Sequence, residues 1–150
     1  MHFYRAEEID VNIFFQWAND EETRKNSFHT NLISFEEHKQ WFEEKIHSEN
    51  CEIYIAYEDE TPVGQVRLEY EDDIAHISYS VDKNQRGKGY GEKIILSAEK
   101  KVLKNGMANV IVAKVKYNNI SSQKIFEKLG YKVKKTEKYI VYKKETVSNP

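Results

Sequence analysis

The sequence predicts an α/β domain, an antiparallel meander and a further buried strand interleaved with helices. Three observations carry that prediction. Apolar residues alternate with a period of two through 53–57, 62–68 and 74–81, separated by short acidic turns, the pattern of three antiparallel strands in a meander. Ile94, Ile95, Ala98, Val102 and Leu103 then recur at helical spacing. The run 110–115 is apolar almost throughout and reads as a buried strand.

The remaining elements follow in chain order. Phe3 and Tyr4 give a short apolar start that reads as a first strand, and residues 10–17 place Ile13, Phe14 and Trp17 on one helical face. Ser34-Phe35-Glu36-Glu37 has the capping-box pattern, in which hydroxyl and carboxylate satisfy backbone donors at a helix start. The helix it opens carries Phe35, His38, Trp41, Phe42 and Ile46. The helix after residue 91 stops at Asn105-Gly106, a good C-terminal cap. Residues 121–129 form a short helix closed by Gly130, and 131–133 with 139–142 suggest a final hairpin.

Composition bounds the class. A chain of 150 residues with ten Tyr, seven Phe and two Trp is one domain, 1–150, that buries roughly two thirds of its unfolded surface. Only its last few residues are expected to be disordered. The net charge of −2, with Lys and Arg spread along the chain, leaves no large basic face, so nucleic acid is not an expected partner. Nothing approaches the ~20 apolar residues that span a bilayer. The single cysteine, Cys51, can form no intrachain disulfide, and the amino terminus lacks the features of a signal peptide, so a cytoplasmic location is expected. His29, His38 and His47 do not have a helical metal-site spacing, and His47 with Cys51 is too small a ligand set; no metal is expected.

Residues Gln85-Arg86-Gly87-Lys88-Gly89-Tyr90-Gly91 lie between the third strand of the meander and the long helix. Three glycines in five residues remove Cβ atoms that would hold an anion off the backbone, and the helix adds unpaired N–H groups and a positive dipole end. The segment reads as a diphosphate cradle. It is not a Rossmann turn, because Glu92 stands where a third glycine is needed and Lys114 and Lys116 stand where an acid is needed. It is not a Walker loop, because Gly89 rather than Ser or Thr follows Lys88.

The same seven residues resemble the acetyl-CoA signature Gln/Arg-x-x-Gly-x-Gly/Ala of the GNAT N-acetyltransferases. The stretch from Asn119 to Tyr131, ending Leu129-Gly130-Tyr131, is similar to that family's downstream helix. The resemblance covers essentially the whole chain and implies the GNAT fold, a central mixed, mostly antiparallel sheet with helices on both of its faces and the fourth and fifth strands splayed. It implies acetyl-CoA as acyl donor, the pantetheine arm along Ser80 and Val81, and the pyrophosphate on Gln85, Arg86, Gly87, Lys88, Gly89, Tyr90 and Gly91. Asn119 and Ser122 would line the cofactor's far side. The family's frequent glutamate base is replaced by His76, which reads either as a base or as a packed strand residue. The family's tyrosine acid is replaced by Phe126, which has no proton to give; Tyr79, Tyr131 and Tyr139 are the stand-ins.

The segment 17–28 with His38-x-x-Trp41-Phe42 resembles the branch that acetylates amino-sugar nucleotides for surface glycans. The acceptor then expected is an amino-sugar nucleotide, with Arg24 on its phosphate and Asn26, His29 and His38 on sugar hydroxyls. Rival readings are a peptide, protein or small amine as acceptor, and a domain that binds acetyl-CoA without turnover. A homodimer is an allowed assembly.

Overall fold

The computed structural model describes residues 1–146. The expectation of disorder at the carboxyl terminus falls largely outside them. Seven strands, β1 (His2–Arg5), β2 (Cys51–Glu58), β3 (Thr61–Glu71), β4 (Ile74–Val81), β5 (Val110–Val115), β6 (Lys132–Lys135) and β7 (Ile140–Glu145), form one sheet. Their spatial order is β1-β2-β3-β4-β5-β7-β6. The helices are α1 (Val11–Ala18), α2 (Glu21–Asn26), α3 (Phe35–Ile46), α4 (Tyr90–Asn105) and α5 (Ile120–Lys128).

The alternation in the sequence becomes the meander β2-β3-β4, all antiparallel, with Tyr54 opposite Val66 and Leu68 opposite Ile77. Its second turn puts Asp72 and Asp73 at φ of +48° and +65°. Such paired left-handed residues match the twist of a two-residue hairpin, and short acidic side chains tolerate them. Alternation also assigns the faces. Val66, Leu68, Ile77, Ile111 and Tyr142 meet Ile94, Ile95 and Val102 of α4 and Phe126 of α5 on one side. Cys51, Ile53 and Ile55 meet Phe14, Trp17 and Phe42 on the other. Each such large side chain, fully buried, contributes about 1.5–3 kcal/mol.

The capping signals act where expected, with one omission. Ser34 Oγ accepts from the Glu37 N–H at 3.2 Å, and Gly106 closes α4 at φ +67°. The return bond from Glu37 is not among those the described residues form. A six-residue helix, α2, was not expected at all; it buries no residue, so it has no apolar stripe to read.

One feature of the sheet positions everything that follows. β4 and β5 are parallel and pair only through Ile74 with Val110, Ala75 with Ile111 and His76 with Val112. Beyond that point β5 stays with β7, its Val115 opposite Ile140, while β4 continues along β3 to Val81. From Ile77 onward β4 therefore presents a backbone edge with no strand beside it. Among the described residues no helix is long and apolar enough to cross a membrane, and no group of three His, Cys, Asp or Glu could hold a metal ion.

Candidate active site

The glycine-rich segment begins at the end of this open edge. Asp82 caps a short 3-10 turn, Lys83–Gln85, by accepting from the Asn84 N–H at 2.8 Å, and also accepts from Trp17 Nε1 at 2.8 Å. Gly87 and Gly89 follow at φ of +78° and +82°, where an L side chain is strained. A Cβ at either would meet nothing within 4 Å, so open space lies beside both. Gly89 is the N-cap of α4 and offers no side-chain acceptor, which leaves the first N–H groups of Tyr90, Gly91 and Glu92 aimed outward. This is a cradle that fits a diphosphate.

The other expected contacts, Gln85, Arg86, Lys88 and Gly91, behave differently. Gly91 is buried, and a Cβ there would come within 2.9 Å of Ile125 Cδ1, so its missing side chain serves the approach of α5 to α4. Arg86 turns away to Asp20 and to Glu22, the latter at 2.9 Å, and Lys88 donates to Gln85 Oε1 at 3.0 Å. Burial would raise the Asp20 carboxyl, but the bond from Arg86 and the Thr23 N–H outweigh it and hold it below its ordinary value. Asp20 thus caps α2 and anchors the loop together.

A cavity of about 670 Å³ opens at the splay and passes through the sheet. Ser80, Asn119 and Ser122 line it; Val81 does not, its side chain packing towards α4. Ser80 Oγ accepts from Gln65 at 3.0 Å, and Asn119 Oδ1 caps α5 through the Ser122 N–H at 3.2 Å. Tyr79 and Ser122 hydroxyls lie 2.6 Å apart on the cavity wall. Burial pushes the Tyr79 hydroxyl above its ordinary value, opposed by the Ser122 bond. Phe126 lies edge-on to Tyr79, ring centroids 6.3 Å apart, and lines the same cavity. The other two tyrosines lie elsewhere. Tyr131 donates to Glu99 at 2.7 Å within the core, and Tyr139 packs edge-on against Phe28.

The opposite wall is α2 with the loop after it, stitched down by side chains on backbone. Arg24 Nε donates to the Ala18 carbonyl at 2.6 Å and Nη1 to that of His29 at 2.7 Å, with Nη2 3.2 Å from Ser27 Oγ. Lys116 on the far side of the splay holds the carbonyls of Lys25 and Ser27 at 2.9 and 3.1 Å. Asn19 exchanges two bonds with Ile33 at 2.7 and 2.8 Å. Asn26 and His29 line the cavity. His38 lines it too, 3% exposed among Phe15, Trp41 and Phe42, with Nε2 unpartnered among the described residues. Burial first, and then the Arg24 charge, lower its pKa, so its ring is neutral at pH 7.

His76, the last residue of β4 paired to β5, faces a second cavity of about 470 Å³ on the α3 side, not the first. Opposite it on β3 stands Glu69, 3.1 Å from Lys45 and 2.7 Å from Arg67. Burial would raise Glu69, but the two cations hold it below its ordinary value. The two cavities adjoin, with Phe28, Arg67, Ile77, Ser78 and Lys114 in the linings of both. Sequence reasoning missed Arg67 and Lys114, and the ties from Trp17 to Asp82 and Arg86 to Asp20. For Arg67 and Lys114 a signal existed: each is a cation at an alternating position of a strand whose neighbours are apolar.

Known proteins give the same outline. The family model described as "Acetyltransferase (GNAT) family" matches residues 11–131. An uncharacterized N-acetyltransferase, YfmK, of Bacillus subtilis is 24% identical over 137 residues, covering 90% of this chain and 87% of its own. A spermidine N-acetyltransferase from Vibrio cholerae, solved with CoA and spermine, superimposes with a TM-score of 0.86 at 15% identity, over 97% of this chain and 95% of that one. RimL, a ribosomal L7/L12 α-N-protein acetyltransferase solved with coenzyme A, gives 0.82 at 15% identity, over 95% and 92%. At these identities the two structures share the fold.

Proposed function

We propose, because the chain belongs to the acetyltransferase (GNAT) family and is thus an N-acetyltransferase that draws on acetyl-CoA, that its acceptor is a terminal amine on a peptide or protein. The observation that carries this reading is the adjoining of two cavities at the splay, which gives an extended chain a path from the α3 side to the open edge of β4. Two solved structures of the same fold act, by their descriptions, on a ribosomal protein and on a polyamine. A polyamine needs carboxylates. The ionisable lining of the main cavity has Arg24, Arg67 and Lys114 against Glu37 alone, with two histidines beside them. In the sugar-nucleotide reading Arg24 was the phosphate clamp, and the bonds of that guanidinium to Ala18, Ser27 and His29 occupy it.

The thioester supplies an activated acetyl carbonyl. In this reading the amides from Gly87 to Glu92 hold the diphosphate, and the edge from Ile77 to Val81 lines up the arm. Ser80, Asn119 and Ser122 complete the wall on which the arm rests. The nitrogen–carbon bond forms as the carbon–sulfur bond breaks; the amine gives up a proton and the departing sulfur takes one. Tyr79 Oη, oriented by Ser122, holds the proton for the sulfur in place of the tyrosine that Phe126 replaces. His76 is the candidate base on the side from which the acceptor enters.

Thiol release from acetyl-CoA tests the reading, with free-amine peptides, 4-amino-4,6-dideoxy-sugar nucleotides and polyamines offered in parallel. Turnover is expected with peptides. Turnover confined to sugar nucleotides or polyamines would replace the acceptor, and tight acetyl-CoA binding without turnover would make the domain a non-catalytic module.

A further inference from the structure

Five residues line both cavities, and they include two cations and no acid. Arg67 and Ser78 are register partners on β3 and β4, and Lys114 follows two residues after Val112, the partner of His76 on β5. The side-chain period of two puts all three on the α3 face, in one row across the splay. Arg67 is fixed in this row. Its guanidinium stacks over Trp41 at 5.0 Å, Nη2 reaches Ser78 Oγ at 3.4 Å, and Nε lies 2.7 Å from Glu69. Lys114 sits with its ammonium over the Tyr139 ring at 5.4 Å and forms no ion pair among the described residues.

The nearest acid does not neutralise the row. Glu69 is divided between Arg67 and Lys45, and the second cavity as a whole sets Lys45, Arg67 and Lys114 against Glu69 and Glu71, with Glu71 two residues beyond Glu69 on β3 and farther from the row. An acceptor chain crossing from one cavity to the other passes this row next to its reacting amine. A basic neighbour there would be repelled, whereas an acidic one finds an ammonium, a guanidinium and a hydroxyl. The same field opposes a charged ammonium on the acceptor, favouring the neutral amine that reacts.

We propose that Arg67, Ser78 and Lys114 form an anion-recognising subsite that selects acceptors bearing a carboxylate or phosphate close to the amine, foremost peptides with an acidic second residue. This rests on the peptide-amine reading of the site, but the subsite's charge preference can be measured apart from it.

The test uses the intact protein and tetrapeptides that differ only in the second residue, aspartate, asparagine or lysine, with kcat/KM read for each. Aminoethyl phosphate and 1,3-diaminopropane form a second, non-peptide pair. The expected result is a preference for aspartate over lysine of about tenfold at low salt, what a half-exposed charge reversal is worth, shrinking as ionic strength rises. Lys114→Glu should erase or invert that ratio, whatever happens to the absolute rates, and its thermal melt should match the parent because Lys114 is exposed on β5. Equal rates across the peptide series, or a ratio that Lys114→Glu leaves unchanged, would overturn the proposal. If no peptide is turned over but aminoethyl phosphate is preferred to the diamine and Lys114→Glu reverses that, the peptide reading falls and the subsite stands. If neither pair discriminates by charge, the subsite falls.

Discussion

The glycine loop and the α2 wall are tied to each other through Arg86, and they are built from opposite materials. The loop presents main chain: two glycines at positive φ and the bare N-terminus of α4, with its charged side chains Arg86 and Lys88 turned to protein partners. The α2 wall hides its main chain under Arg24, Lys116 and Asn19 and presents Asn26 and His29 to the cavity, with His38 of α3 beside them. The difference teaches that one site wall is suited to a ligand part that never varies, the diphosphate, and the other to a part that differs between relatives, the acceptor. Backbone amides tolerate changes of side chain around them, whereas a wall of side chains can be retuned one residue at a time.

The largest effect is expected where the contrast is sharpest. Gly89→Val would force a β-branched residue into the left-handed region, at a cost on the order of 1–2 kcal/mol, and put methyl groups into the space open to the anion. Losing two charge-assisted bonds should weaken acetyl-CoA binding by about a hundredfold or more, read by calorimetry. A variant that binds normally would mean that the loop is only a turn. A smaller effect is expected where a side chain acts from the β4 edge. Tyr79→Phe should lower kcat about tenfold and leave acetyl-CoA affinity nearly unchanged, because a thiolate leaves without strong acid help. The pH profile gives the sign. An acid works only while protonated, and burial raises the Tyr79 hydroxyl above its ordinary value, so activity is retained through neutral pH and lost on the alkaline side. The variant should lack that alkaline loss; a profile identical to the parent's would remove Tyr79 from the reaction.

The same contrast governs what the sequence could reveal. Strand alternation, the Asn105-Gly106 stop and the glycines at 87 and 89 are local requirements of backbone geometry, and each left a local mark. The order of elements and the left-handed glycine turn before α4 were therefore legible. Arg24 shows the limit. Its shortest bonds go to carbonyl oxygens, which every residue owns, so nothing in the sequence distinguished a guanidinium that holds a loop from one that holds a phosphate. Arg86 and Asp20 are 66 residues apart, and only the fold brings them together. α2 is held by its Asp20 cap and these ties rather than by an apolar face, although Asp20-Glu21-Glu22 followed by Arg24-Lys25 did carry the charge order of a short helix. Tyr79 was one stand-in among three until the splay brought it into the cavity beside Ser122.

The central claim is that main chain holds the cofactor and side chains choose the acceptor. It is tested most directly by following backbone amide resonances of the intact protein while coenzyme A, and then a peptide, is added. Coenzyme A is expected to move the amides of Gly87 to Glu92 and of the β4 edge most, and the peptide to add shifts around Arg67, His38 and Lys114. Saturation with coenzyme A that leaves the amides of Gly87 to Glu92 unmoved would contradict that claim.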